Sequence, residues 1–237
     1  MINYKLRSTQ KEILDQKNIP FEDIALNMRE LDFINSNLGG HRITIDGFKY
    51  LLQKRKKISV CEIGCGGGDN LNAINEFCTR NNIQADFIGI DINPECIDFA
   101  KTKSKIKDID FIVKDYRDVD FANHKPDIIF TSLFCHHFTD DELVEMIQRM
   151  NENSNIGFFI NDLHRNSVAY HFIKYATKLF SKSYLTKNDA PISVLRGFTK
   201  KEWQIIFKKA KVKVSLIQWK WAFRYLVIVQ KNAGLNN

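Results

Sequence analysis

The chain has 237 residues, and its hydrophobic share of 44% is enough for one α/β domain with a sizeable core. Its net charge of +7 permits an anionic partner but does not identify one, and no RNA-binding motif supports nucleic acid as a partner. Because no apolar run approaches the roughly 18 residues of a membrane span, and the start lacks a signal-peptide core, we expect a cytoplasmic protein without a transmembrane segment. The five cysteines are an odd number without paired spacing, which favours a reducing compartment. No CxxC occurs, and the spacing of cysteines and histidines fits no zinc site.

The chain begins with helical patterns over residues 1–57, of which "EDIALNMRELDFINSNL" is the clearest. From residue 58 onward, short apolar strands alternate with helices, which is typical of a parallel sheet with crossover helices. The last two strands are joined by almost no chain and are expected to form an antiparallel hairpin. A second helical segment, 165–195, interrupts the alternation after the fifth strand. Strands are predicted at 58–64, 85–92, 109–115, 126–133, 156–163, 211–219 and 222–231, and helices at 69–81, 94–104, 140–152 and 199–209.

The stretch "VCEIGCGGGDN" places four glycines directly after the first of these strands. Glycines there let the backbone turn sharply and approach a ligand closely. A dinucleotide site needs G-x-G-x-x-G, but Asp69 occupies the third glycine position, and an acid there would repel a pyrophosphate. Glu62 and Asp69 would instead suit a ligand with a cationic amino acid end, such as S-adenosylmethionine.

Two further acids end the next two strands. Asp91, in "FIGIDIN", is placed to accept hydrogen bonds from both hydroxyls of an adenosine ribose, or else to cap the strand end. Asp115, in "VKDYRD", is placed to accept from an adenine amino group, with a plain turn acid as the alternative.

These motifs together resemble the class I S-adenosylmethionine-dependent methyltransferases, with "EIGCGGG", "GIDIN", "KDYRD" and "PDIIFTS" matching the first four motifs over residues 58–163. The resemblance implies an α/β, Rossmann-like fold: a seven-stranded, mostly parallel sheet with an antiparallel last strand and helices on both faces. The segments "LRSTQKEILD" and "RELDFINSNLGG" are similar to ubiquinone/menaquinone-type small-molecule methyltransferases. The resemblance implies S-adenosyl-L-methionine as the cofactor, with contacts at Glu62, Gly64, Cys65, Gly66, Gly68, Asp91, Ile92, Asp115, Tyr116, Thr131 and Ser132.

Histidines near the expected methyl group are the candidate catalytic residues. His136 and His137 follow the fourth strand, and a histidine is a natural base near neutral pH. The alternative is that one of them packs and holds the loop. His164, with Asp162 able to orient an acceptor, is the next candidate. Thr131 and its neighbour stand where a metal-assisted mechanism would need carboxylates, so we expect no metal.

The acceptor pocket is predicted to lie between two lids, the helical segment 1–57 and the insert 165–195, of which the insert belongs to a cofactor-binding domain over 58–237. Tyr170 and Tyr175 in the insert suggest an aromatic or polyketide-like acceptor, with Arg196 as its polar anchor or a salt-bridge partner. We therefore expect methyl transfer to the oxygen, or less often the carbon, of a small hydrophobic compound of secondary metabolism. The alternatives are an RNA or protein methyltransferase and a cofactor-binding module without catalysis. A homodimer is possible.

Overall fold

A computed structural model describes residues 3–16, 18–122 and 125–231 of the chain. The predicted ranges 1–57 and 58–237 therefore include a few positions that lie outside the described residues. Within the described part, seven strands form one sheet in the order β3-β2-β1-β4-β5-β7-β6. The strands β1 to β5 run parallel, whereas β7 is antiparallel to both β5 and β6, so the predicted mostly parallel sheet with an antiparallel last strand is confirmed.

The strands lie close to their predicted positions, with one exception. The sixth strand begins five positions later than predicted, because residues 211–215 form a turn and connection after the preceding helix. The strands are β1 (Lys57–Ile63), β2 (Gln84–Asp91), β3 (Ile109–Val113), β4 (Ile128–Ser132), β5 (Gly157–Leu163), β6 (Leu216–Lys220) and β7 (Arg224–Gln230).

The helices also follow the predicted pattern, but the insert 165–195 contains two helices where the sequence predicted one. Within the described residues none of the helices combines the length and the apolar character needed to cross a bilayer. The helices are α1 (Phe21–Asn37), α2 (Gly40–Leu52), α3 (Asp69–Arg80), α4 (Pro94–Lys103), α5 (Asp140–Asn153), α6 (Ser167–Phe180), α7 (Tyr184–Arg196) and α8 (Lys200–Ala210).

Side-chain caps fix where several of these helices begin. Thr139 and Thr199 each form a capping box, in which the threonine side chain accepts from the third helical N–H and a glutamate there reaches back. The Asn93 side chain accepts from two N–H groups at the start of α4, directly after β2. These caps start the crossover helices close to the carboxyl ends of the strands, where open α/β sheets bind ligands.

Helices cover both faces of the sheet, as predicted. One face carries α2 and α3, which pack on the strands through Phe48, Leu51 and Leu71. The other face carries α5 and α8, which bury Met146 and Trp203. The remaining helices are α4, which lies beside β2 and β3, and α1, α6 and α7, which are grouped beyond the carboxyl ends of the strands, where α1 packs on both α4 and α7.

Gly47 provides a test of how tightly α2 packs on the sheet. A Cβ at Gly47 would lie 2.6 Å from the ring of Phe159 and 3.0 Å from Cδ1 of Leu226, both fully buried. In an exposed helix, exchanging glycine for alanine stabilises by about 1 kcal/mol, whereas overpacking a core costs about 1–3 kcal/mol. We therefore expect Gly47→Ala to lower the free energy of unfolding in urea. Arg42→Ala, an exposed change on the same helix, should alter it by less than about 0.5 kcal/mol, and a stabilised Gly47→Ala would contradict this packing.

Candidate functional site

A cavity of about 890 Å³ lies at the carboxyl ends of β1, β2 and β4. This volume falls in the upper part of the range of about 300–1,000 Å³ found for small-molecule and cofactor sites. Its floor is the glycine loop after β1, and its roof consists of residues 11, 14–16, 18 and 19 and one face of α1. The predicted site residues that line it are Glu62, Gly64, Cys65, Gly66, Asp91, Ile92, Asp115, Tyr116, Ser132, His137 and Arg196.

The glycine loop is held in a conformation that a larger residue would not adopt. Gly64 has a φ of +70°, and its N–H donates to the carbonyl of Ile90 at 2.8 Å. A Cβ there would lie 2.2 Å from the ring of Phe134. The loop therefore needs glycine both for its backbone angle and for the close approach of the segment that follows β4.

Three acids converge beside this loop, and one of them has an unsatisfied oxygen. Glu62 is buried; its Oε1 accepts from Nδ2 of Asn70 at 3.2 Å, while Oε2 has no hydrogen-bond partner among the described residues. Burial, reinforced by the negative charges of Asp69 and Asp91, raises the pKa of Glu62 well above its usual value. A bound cation would stabilise the ionised form of Glu62, because its positive charge would offset the repulsion from Asp69 and Asp91 and the loss of solvation on burial.

Asp69 is anchored by the first two helices. Its Oδ2 accepts from Nδ2 of Asn35 on α1 and lies 2.8 Å from Nε2 of His41 on α2. Burial raises the pKa of Asp69, but the hydrogen bonds and charge of His41 outweigh burial and hold that pKa below its usual value. The N-terminal helices are thus tied to the glycine loop through this carboxylate.

Asp91 is fixed by backbone donors on both of its oxygens. Its Oδ2 accepts from the N–H of Gly66 and its Oδ1 from the N–H of Asn93, each at 2.9 Å. A carboxylate has about four acceptor positions, so one on each oxygen remains for a ligand. Burial raises the pKa of Asp91 despite these donors.

Asp115 and Tyr116 form the opposite wall. The Asp115 carboxylate accepts from the backbone N–H and the Nε of Arg117 at 2.9 and 3.0 Å, and this guanidinium holds the pKa of Asp115 below its usual value. The Tyr116 ring meets the rings of Phe134 and Phe138 edge-on, with centroids 6.2 and 6.0 Å away. This wall therefore consists of aromatic rings beside one charged side chain, that of Asp115.

His137 is the histidine that reaches the cavity. Its Nδ1 lies 2.9 Å from Oδ1 of Asp15, whereas its Nε2 lies 3.8 Å from Glu12, too far for a hydrogen bond. Burial opposes ionisation of Asp15, but the hydrogen bond and charge of His137 lower the Asp15 pKa to about 2. This Asp15–His137 pair resembles the carboxylate–imidazole arrangement that orients a base.

His136, the neighbouring histidine, is buried and does not line the cavity. Its Nδ1 lies 2.8 Å from Oδ1 of Asp162, and its Nε2 lies 3.4 Å from Oε1 of Glu12. Burial alone would lower the pKa of His136, but these two carboxylates outweigh it and raise the pKa to about 9. His136 is therefore a cation at neutral pH that links the N-terminal segment to β5.

Two arginines clamp the same loop. Arg196, at the end of α7, donates to the carbonyls of His136 and His137 at 2.9 and 2.7 Å and pairs with Asp15 at 3.2 Å. Arg7 donates to the carbonyl of Phe138 at 2.8 Å. Of the two roles considered for Arg196, the salt-bridge role is the one seen in these contacts.

Sequence reasoning missed the contribution of residues 7–15. Glu12 and Asp15 contact histidines more than 120 positions later, and Arg7 joins them on the loop. No local spacing signals such contacts. The only available signal was the similarity of "LRSTQKEILD" to other methyltransferases, which covers all three residues.

Several predicted site residues lie outside the cavity lining, and their proposed contacts with ligands stay predictions. His164 accepts from Nε1 of Trp219 at 3.2 Å, beside Tyr225. Tyr170 packs edge-on against Tyr4, and Tyr175 points to solvent, because α6 turns its buried face toward α7.

Three further predicted site residues lie behind the cavity lining. Asp162 is used by His136, Gly68 caps α3, and the Thr131 hydroxyl is buried 3.4 Å from Sγ of Cys135. Each of these therefore shapes a neighbouring element of the site without facing the cavity.

Two clusters bring a histidine and acids close enough to hold a metal ion. One consists of Glu12, His136 and His137, and the other of Asp32, His41 and Asp69, with ligand atoms within 4.8 Å of one another. In both, a histidine ring already lies against a carboxylate, with Nε2 of His41 2.8 Å from Asp69 and Nε2 of His136 3.4 Å from Glu12, so the geometry is equally that of contacts within the protein. The expectation that the protein uses no metal stays a prediction.

Comparison with known proteins agrees with this geometry. Residues 60–155 match a family model described as a methyltransferase domain. Over this stretch the chain is therefore similar to methyltransferase domains. The matched residues include the glycine loop, Asp91, Asp115 and the histidine pair. The predicted class I resemblance is confirmed, while the ubiquinone/menaquinone-type subgroup stays a prediction.

Solved structures similar to the whole chain share its fold. The plantazolicin methyltransferase BpumL with S-adenosylhomocysteine is 16% identical, with a TM-score of 0.66, covering 90% of this chain and 96% of that one. Human N-acetylserotonin methyltransferase with S-adenosylmethionine is 15% identical, with a TM-score of 0.63, covering 90% and 57%. Magnesium protoporphyrin IX methyltransferase from Synechocystis is 12% identical, with a TM-score of 0.56, covering 93% and 91%. No curated protein matches the chain in sequence.

The raised pKa of His136 predicts how the stability of the protein depends on pH. A histidine whose pKa rises from 6.5 to about 9 on folding stabilises the protein fully below pH 6.5, and this contribution is lost as the pH rises through 9. We expect the free energy of unfolding of the wild type, relative to His136→Asn, to fall by up to about 3 kcal/mol between pH 6.5 and 9. Urea denaturation of both proteins at several pH values measures this difference. Parallel pH profiles would contradict the charged Glu12–His136–Asp162 chain.

Proposed function

We propose that the protein transfers a methyl group from S-adenosyl-L-methionine to the oxygen, or less often the carbon, of a small hydrophobic aromatic or polyketide-like compound. The observation that carries the proposal is the buried, unpartnered Oε2 of Glu62 at the end of β1, in a cavity where three acids converge. A cationic amino acid end would satisfy it, whereas a pyrophosphate would be repelled.

Each part of the cofactor has a matching group in the cavity. Glu62 is proposed to hold the amino group, and the free acceptor positions of Asp91 the two ribose hydroxyls. The adenine would lie beside Tyr116, with Asp115 accepting from its amino group. Gly64 and Gly66 contribute backbone without side chains, so a ligand can approach the end of β1 closely.

For methyl transfer the protein has to align the methyl donor with the acceptor and supply a base for the acceptor's proton. When bound, S-adenosylmethionine supplies the methyl group, which leaves its sulfonium in an in-line displacement. Holding donor and acceptor in line contributes on the order of 7–11 kcal/mol in favourable cases. His137 would take the proton of an acceptor hydroxyl on Nε2, while Asp15 fixes the ring through Nδ1 and stabilises the imidazolium that forms.

The roof of the cavity supports a lipophilic acceptor. Leu14, Ile19, Ile24, Met28 and Leu31 line it from the N-terminal segment and α1. These side chains would pack against an acceptor beside Lys11, Gln16 and Asn18 of the same roof, so a lipophilic compound that carries polar groups is favoured. Two structural neighbours act, as their names state, on N-acetylserotonin and magnesium protoporphyrin IX, which also favours a small acceptor.

Binding of the cofactor is tested at Asp91. Losing two charge-assisted hydrogen bonds, each worth about 1.5–3 kcal/mol, should weaken S-adenosylmethionine binding at least about 100-fold in Asp91→Ala, as measured by calorimetry. Asp86→Ala, an exposed change at the other end of β2, should leave the affinity unchanged. Binding of NADH in place of S-adenosylmethionine by the wild type would refute the proposal.

The base is tested at His137. His137→Ala should lower kcat about 100-fold or more on a responsive phenol, because a positioned general base contributes 10²–10⁴-fold, while the affinity for S-adenosylmethionine stays within about twofold. His171→Ala, on exposed α6, should retain full turnover. An unchanged kcat in His137→Ala would show that this histidine is not the base. Methylation of RNA, with no methylation of any compound in a phenol panel, would show that the acceptor is a nucleic acid and not a small molecule.

A further inference from the structure

We infer that the outer face of α6 is a docking surface for a bilayer containing anionic lipids. Five apolar side chains repeat along this face at helical spacing and form what we name the α6 stripe: Val168, Phe172, Tyr175, Leu179 and Phe180. All five are exposed, with Phe172 at 52%, Leu179 at 75% and Phe180 at 83%. Monomeric soluble proteins rarely leave a contiguous apolar surface of this kind uncovered.

The stripe lies on a well-anchored helix. The Asn166 side chain caps α6 by accepting from the N–H groups of Val168 and Ala169. On the opposite side, Ala169 and Tyr170 are buried against Val194 of α7. The helix therefore has one apolar face that packs on the protein and a second that meets solvent, and folding explains only the first.

Positive charge borders the stripe. Lys174 and Lys178 lie one turn apart along one edge, and Lys182 and Lys187 follow α6 in the chain. The sequence contains no acidic residue between Asp162 and Asp189. Glu30 of α1 reaches the end of α6, but its carboxylate accepts hydrogen bonds from the 181–183 turn. Apolar and aromatic residues beside a lysine edge are the composition of helices that lie in the interface of anionic membranes.

Two exposed tryptophans lie in a hairpin that contacts the cluster beneath α6. Trp219 and Trp221 lie in the β6–β7 hairpin, and both rings pack near Phe223. Phe223 in turn packs in the cluster that holds the buried face of α6. Tryptophan rings are enriched at the level of lipid headgroups. Trp219 is 45% and Trp221 66% exposed.

A bilayer fits this surface better than a second copy of the chain. In a dimer formed by two α6 stripes, neither chain would place an acidic side chain from this segment beside the lysines of the other. The segment between Asp162 and Asp189 contains no acidic residue. An anionic headgroup layer supplies that charge, and the acyl region beneath it accepts the apolar side chains. The inference goes beyond the proposed reaction and does not depend on it.

The test is co-sedimentation with phosphatidylcholine vesicles, with and without phosphatidylglycerol. We expect the wild type to bind the anionic vesicles at least tenfold more tightly than neutral ones, with a blue shift of tryptophan fluorescence. This shift would report on Trp219 and Trp221, since Trp203 is fully buried. Phe172→Ser combined with Leu179→Ser should weaken binding to anionic vesicles at least tenfold, and Lys174→Glu combined with Lys178→Glu should abolish the preference for them.

Controls separate this surface from folding and from catalysis. Ile205→Ser, which changes an exposed apolar side chain on α8, should bind vesicles like the wild type. All variants should keep the wild-type affinity for S-adenosylmethionine in calorimetry, so a failure of the reaction proposal would not alter this result. The inference is overturned if the wild type does not bind anionic vesicles, or if the double serine variant binds them equally well. It is also overturned if light scattering shows a dimer that dissociates in the double serine variant while vesicles are not bound.

Discussion

A buried chain of charges from Glu12 through His136 to Asp162 holds the site together. It joins the N-terminal segment, the loop after β4 and the end of β5, which are far apart in the sequence. A buried cation between two carboxylates is stable only when its partners are in place, because each unpaired charge would cost several kcal/mol. The position of His137 beside the cavity follows from this chain, since its neighbour in the sequence is fixed by it.

The sheet and the glycine loop could be predicted from the sequence because local signals determine them. Apolar runs of strand length, glycines needing positive φ at Gly64, and threonine caps at Thr139 and Thr199 all act within a few residues. The carboxyl ends of parallel strands meet at one edge, so Asp91 and Glu62 necessarily come close once β1 and β2 are adjacent. The start of β6 was harder to predict, because the residues between α8 and β6 are apolar enough to be typical of a strand.

Sequence reasoning could not determine which face of a helix turns toward the protein. The aromatic residues of α6 predicted a pocket wall, but helical periodicity cannot tell which of two apolar faces packs inward. Packing of Tyr170 against Tyr4 settles the orientation and leaves Tyr175 in solvent. Sequence alone likewise could not tell which of the adjacent residues His136 and His137 faces the cavity. The His136 ring is buried, whereas the His137 ring lines the cavity.

The N-terminal segment also has a consequence for how the protein is made. Residues 7–15 are synthesised well before the segments they contact, because Asp15 is separated from His137 by 122 positions, and Arg7 hydrogen-bonds to Arg196, which is 189 positions away. Contacts across such separations slow folding. Residues 7–15 therefore stay without these partners until α7 has been synthesised, and the cavity takes its final shape only after that point.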